Sequence, residues 1–146
     1  MSSTTNRARM RARRCAVQAL YQWQLADQEP ADIRREFLSD REMQGVDPAY
    51  FERLVVDIPR YADALVGRLG AVVDRPWRQI DPVERAVLLV GAYELAHCPE
   101  IPWRVVLNEG VELAKMFGAE QGHRFVNAAL DRLAHELREA EVAAAR

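Results

Sequence analysis

The chain has 146 residues, 49% of them hydrophobic and 29% charged, which is enough to bury a real core and too apolar for wholesale disorder. The formal net charge is only −2, and the longest uncharged apolar run, Ala86–Tyr93, is far short of a bilayer span of roughly 20 residues. Gln18, Gln22 and Gln24 interrupt the apolar stretch after the arginine-rich start, so it does not read as a secretory signal; a cytoplasmic protein is expected.

Helix one is expected from about Arg7 to Asp27, closed by the polar stretch before Pro30. A short second helix runs from Pro30 or Ala31 to about Ser39 and buries Ile33, Phe37 and Leu38. Gly45–Asp47 form a loop in which Asp47 caps a third helical stretch and Pro48 takes its first position. That stretch reaches about Val73, with a kink or break expected near Asp57–Pro59 because proline removes a hydrogen bond and clashes with the preceding turn. A connector over Asp74–Gln79 comes next, and Asp81-Pro82 repeats the capping signature for a helix to about His97. Pro102 can open the next helix, ending at Gly118, and the last helix spans about Glu120 to Ala143. No segment alternates with period 2, so an all-α fold is expected.

The modest net charge hides an asymmetry. Arg7, Arg9, Arg11, Arg13 and Arg14 fall in the first 14 positions, which contain no acid, while all 22 acidic residues lie in the body. A basic arm on an acidic body points to a localised polyanion-binding surface. At 100° per residue, Arg7, Arg11, Arg14 and Gln18 fall within about 60° of one another, with Tyr21 close by. Ala12, Ala16, Ala19, Leu20 and Trp23 occupy the opposite face. Guanidinium forks match phosphate oxygens and an aromatic face can stack an unpaired base. The competing reading is an amphipathic helix whose arginines are merely solvated.

The Asp81–His97 helix is apolar on nearly every side, which marks a helix central to a bundle or covered by a partner. Glu94 lies inside that pattern and needs an internal partner; Glu84 and Arg85, near the helix start, are expected to be exposed. Further on, Phe117, the adjacent pair Arg124 and Phe125, and Asn127 offer a second set of nucleic-acid contacts, with ordinary core packing as the alternative for each phenylalanine. Catalysis finds no support. His97, His123 and His135 are dispersed, the glycines are scattered singly, and Cys15 and Cys98 lack ligand spacing. Neither a catalytic group, a metal nor a cofactor is expected.

Four stretches, RARRCAVQALYQWQL, DPVERAVLLVGAYEL, IPWRVVLNEGVELAKMFG and HRFVNAALDRLA, occur in this order and spacing. Together they resemble the NusB family of bacterial transcription antitermination factors over essentially the whole chain. Pro59 and Gly122 depart from the family pattern, which touches helix continuity and local capping only. The resemblance implies an all-α fold of two packed helical bundles in one compact domain over 1–146, with subdomains at about 7–75 and 81–143. It also implies a non-enzymatic adaptor that binds the boxA sequence of ribosomal RNA leader transcripts together with NusE, a small-subunit ribosomal protein. Other Nus factors and RNA polymerase join through that complex, which suppresses premature termination; no membrane is involved.

Carried over by position, the RNA contacts are Arg7, Arg9, Arg11, Arg14, Gln18 and Tyr21 on helix one, and Phe117, Gln121, Arg124, Phe125 and Asn127 towards the C-terminus. Glu84 and Arg85 are assigned to the NusE-like partner, and Glu94 and Asn108 to internal hydrogen bonds. The resemblance leaves open whether the chain is a monomer or a homodimer. One rival is the NusB-like module of some ribosomal RNA cytosine methyltransferases, disfavoured because no methyl-donor-binding domain occurs before Arg146. A second is a protein–protein scaffold whose arginine arm serves only solubility.

Overall fold

A computed structural model of the chain describes the backbone of residues 3–40, 43–118 and 121–145. The described residues are helical with turns and contain no strand. They form two compact units, Met1–Tyr61 and Ala62–Arg146, a division that lies before the expected Asp74–Gln79 connector. The reason is that the helix preceding that connector packs on helices of the second unit.

The first unit holds α1 (Ser3–Ala26), α2 (Pro30–Asp40) and α3 (Pro48–Arg60), each packed on the other two. Helix α1 stops where Asp27 turns left-handed, with φ 49°, a conformation its short polar side chain tolerates. The Asp47 side chain accepts a hydrogen bond from the Tyr50 N–H at 3.0 Å, and Pro48 opens α3 as expected. Buried residues include Ala12, Ala16, Leu20, Ile33, Phe37, Phe51, Leu54 and Ile58, with the Phe37 and Phe51 rings 5.6 Å apart. Leu38, expected in the core, is exposed, because Phe37 takes the inward position of that turn.

The third helical stretch is broken, but later than expected. Pro59 fits in the last turn of α3, and the break falls at Tyr61, whose N–H returns to the carbonyls of Asp57 and Pro59. Having no N–H, Pro59 cannot close the bond to the Val55 carbonyl, and the helix ends one residue later, at Arg60. The second unit starts there with α4 (Ala62–Gly70), followed by a 3₁₀ turn (Trp77–Gln79), α5 (Pro82–His97), α6 (Trp103–Phe117), α7 (Gly122–Leu137) and α8 (Glu139–Ala144).

Helix α5 is buried continuously from Ala86 to Leu95, because α4, α6 and α7 all pack against it. Gly91 lets α7 approach α5, and Gly110 lets it approach α6. A Cβ at Gly91 would come within 2.7 Å of both Leu130 methyls, and one at Gly110 within 2.7 Å of Leu130 Cδ1.

The last helix is interrupted at Arg138, so the single helix expected to Ala143 is two; its expected start at Glu120 lies outside the described residues. Arg138 is 8% exposed and donates to the carbonyls of Leu95 (2.8 Å), Ile101 (3.0 Å), Glu94 (3.1 Å) and Cys98 (2.9 Å). It also pairs with Glu141 at 2.6 Å. The physical need is legible in the chain: the i+4 donor for Leu95 would be Pro99, which has no N–H. A buried guanidinium supplies the missing donor.

Candidate nucleic-acid interface

On α1 the outward face is cationic. Arg7, Arg11, Arg14 and Gln18 are exposed and Tyr21 is 40% exposed, while Ala12, Ala16, Ala19 and Leu20 are buried and Trp23 is half-buried. The helical spacing therefore separates guanidinium, amide and phenol groups from the packing side as the sequence indicates. Arg9 and Arg13 go elsewhere. Arg9 is half-buried with its Cζ 4.9 Å from the Tyr50 ring centroid, and Arg13, 4% exposed, sits 5.5 Å from the same ring. Arg11 Nη1 donates to the Gly45 carbonyl at 3.4 Å.

In the second unit the other candidate residues gather around the end of α6 and the start of α7. Phe117 is half-buried in the last residue of α6, Gln121 is exposed just ahead of α7, and Arg124 and Asn127 are exposed on α7's first turns. Phe125 is half-buried under Arg75, whose Cζ lies 4.3 Å from the ring centroid. Sequence reading missed Arg75; its only local signal is its place beside Pro76 and Trp77 in the connector. The side-chain hydrogen bond from Arg75 at 3.0 Å holds the Asp74 carboxyl below its ordinary value.

Glu84 and Arg85 are half-buried rather than exposed. Glu84 packs against the start of α7, where a Cβ on Gly122 would lie 3.4 Å from its carboxyl carbon. Burial raises the Glu84 pKa and Asp81 adds to the effect, with Arg75 opposing both. Arg85 keeps its Nε buried with no hydrogen-bond partner among the described residues. Glu94 is buried, at 1% exposure, but Asn108 is exposed, contrary to the internal role expected of it, because the turn of α6 that carries it directs Val106 and Leu107 inward instead.

Of the histidines, His97 stacks on Tyr93 at 5.0 Å, and His135 bonds the Asp131 carbonyl and meets the Trp103 ring edge-on. Among the described residues no group of three or more His, Cys, Asp or Glu could hold a metal ion, and no helix is long and apolar enough to cross a membrane. The exposed groups are suited to binding anions and stacking planar rings.

These features define a small all-α protein of two helical units, one of them carrying an outward arginine face. The pattern of the NusB family matches residues 10–135, and the chain belongs to that family. It is 50% identical over 133 residues to the transcription antitermination protein NusB of Nitrosococcus oceani, covering 91% of this chain and 89% of that protein. The NusB of Shewanella amazonensis is 47% identical over 125 residues, 86% of this chain and 93% of the relative. Among solved structures, T. maritima NusB matches with a TM-score of 0.80 and 26% identity, covering 91% of this chain and 95% of that one. The resemblance read from the four sequence stretches is thereby confirmed, and with it the class of transcription antitermination factor.

Proposed function

We propose that this chain is a non-enzymatic cytoplasmic adaptor that binds boxA RNA of ribosomal RNA operon leaders together with the ribosomal protein NusE. Through that complex it joins other Nus factors and RNA polymerase. The observation that carries the reading is the outward face of α1, where Arg7, Arg11, Arg14, Gln18 and Tyr21 stand exposed together. Arg9 contributes from the edge of that face.

In this reading the arginines hold phosphates, which fixes position without reading sequence, and the amide and aromatic groups read unpaired bases. Phe117, Gln121, Arg124, Phe125 and Asn127 form a second contact set, and Glu84 and Arg85 at the start of α5 contact NusE.

The test is fluorescence anisotropy at fixed, near-physiological salt, comparing boxA with a base-scrambled RNA of equal phosphate count, each with and without NusE. Preference for boxA that sharpens with NusE is expected. Equal binding to both RNAs under all conditions would leave only a basic arm and refute the reading. Sedimentation at micromolar concentration, with and without RNA, measures the association state.

A further inference from the structure

The turn between α2 and α3, with the first turn of α3, reaches the basic segment of α1 at four points. The Asp47 N–H donates to the Ala8 carbonyl at 3.1 Å. The Gly45 carbonyl receives Arg11, and Tyr50 carries both Arg9 and Arg13 on its ring. Tyr50 is itself fixed: it is 5% exposed, and its N–H is bonded to the Asp47 carboxylate.

Gly45 is required where it stands. Its φ of +78° suits glycine, and a Cβ there would lie 2.5 Å from Arg11 Nη1. Arg9 and Arg13 are one helical turn apart, so a single aromatic ring can meet both guanidinium groups. In a site with little water the ring quadrupole attracts each of them more strongly than it would in solvent.

We propose that Tyr50 is a positioning residue for the cationic face of α1, acting on RNA through Arg9 with Arg13 as its buried anchor. The inference rests on the RNA-binding reading above. An arginine free in solvent loses its rotamer freedom when it meets a phosphate, and that loss subtracts from affinity. Arg9 has already given up that freedom on folding, so it presents a preset charge beside Arg7, Arg11 and Arg14. Tyr50 itself touches no RNA.

Three measurements on the full chain test this. The side-chain Nε–Hε signals of Arg9 and Arg13 in a ¹⁵N spectrum are expected to carry ring-current shifts, kept in Tyr50→Phe and lost in Tyr50→Met. Tyr50→Met is expected to bind boxA about three- to tenfold more weakly, the cost of ordering one arginine on binding. Its log-affinity against log-salt slope stays that of the wild type, because the number of cations is unchanged. Arg9→Ala, by contrast, lowers the slope by about 0.7, and Tyr50→Phe restores wild-type affinity.

Should Tyr50→Met fail to fold, Arg9→Lys keeps the charge at a half-buried position while losing the planar stack, and the same weakening at constant slope is expected. Wild-type affinity in Tyr50→Met or Arg9→Lys, or equal losses in Tyr50→Phe and Tyr50→Met, overturns the positioning role and leaves the RNA reading standing. A wild-type chain with no preference for boxA overturns the RNA reading, and the inference falls with it.

Discussion

Replacing Arg138 with alanine removes the donors that close the C-terminal end of α5. The Leu95 and Ile101 carbonyls lose the guanidinium bonds at 2.8 and 3.0 Å. The Glu94 and Cys98 carbonyls keep their backbone partners, the N–H groups of Cys98 and Ile101, each at 3.0 Å. Glu141 retains only the Trp103 N–H at 2.7 Å. A lost hydrogen bond to a charged group costs about 1.5–3 kcal/mol, and two of the four carbonyls are spared, so a loss of about 3–5 kcal/mol is expected. For a chain of this size that corresponds to about 10–15 °C in Tm. Urea and thermal unfolding followed by far-UV circular dichroism measure it directly. Arg138→Lys is expected to recover less than half of the loss, since a point charge on a flexible stem cannot span a fork of carbonyls. A loss below about 1 kcal/mol in Arg138→Ala, or full recovery by lysine, would refute the account of this network.

Gly91→Ala is expected to destabilise by about 1–3 kcal/mol through collision with Leu130, outweighing the gain of about 1 kcal/mol in helix propensity. Leu130→Val in the same chain should recover part of that loss; strictly additive effects would mean the two residues do not compete for space. The Trp103 N–H first, and Arg138 second, hold the Glu141 carboxyl below its ordinary value. A depressed carboxyl contributes stability that is present above its unfolded value of 4.5 and lost as pH falls through the lower folded value. The stability gap between wild type and Glu141→Gln should therefore shrink in acid below pH 4.5, and a gap independent of pH in unfolding titrations would contradict it. Arg14→Ala should lower the RNA salt slope by about 0.7 with no change in thermal stability. Tyr21→Ala should cost about 1–3 kcal/mol of RNA affinity through lost stacking, measured by anisotropy; a drop in Tm in its place would assign Tyr21 to the core.

What the sequence by itself determined is local. Asp47-Pro48 and Asp81-Pro82 announce helix starts because a carboxylate accepting an N–H and a proline needing none are chemistry within one turn. The outward set Arg7, Arg11, Arg14, Gln18 and Tyr21 comes from the angular step of an α-helix, and the burial of α5 from its lack of any polar side. The tertiary structure decided whatever depends on partners far away in sequence. Arg9 and Arg13 look like their neighbours on the arginine arm until the Tyr50 ring arrives from α3. Arg75 gains its place only over Phe125, and Asn108, embedded in an apolar pattern, turns out to face solvent. Arg138 is the clearest case. Nothing around it resembles a helix stop, yet the Leu95 carbonyl, stranded by Pro99, and the carbonyls beside it draw its guanidinium inside, and the helix breaks there. Periodicity fixes which way a side chain points on its own helix; only the packed chain determines which unsatisfied group it meets.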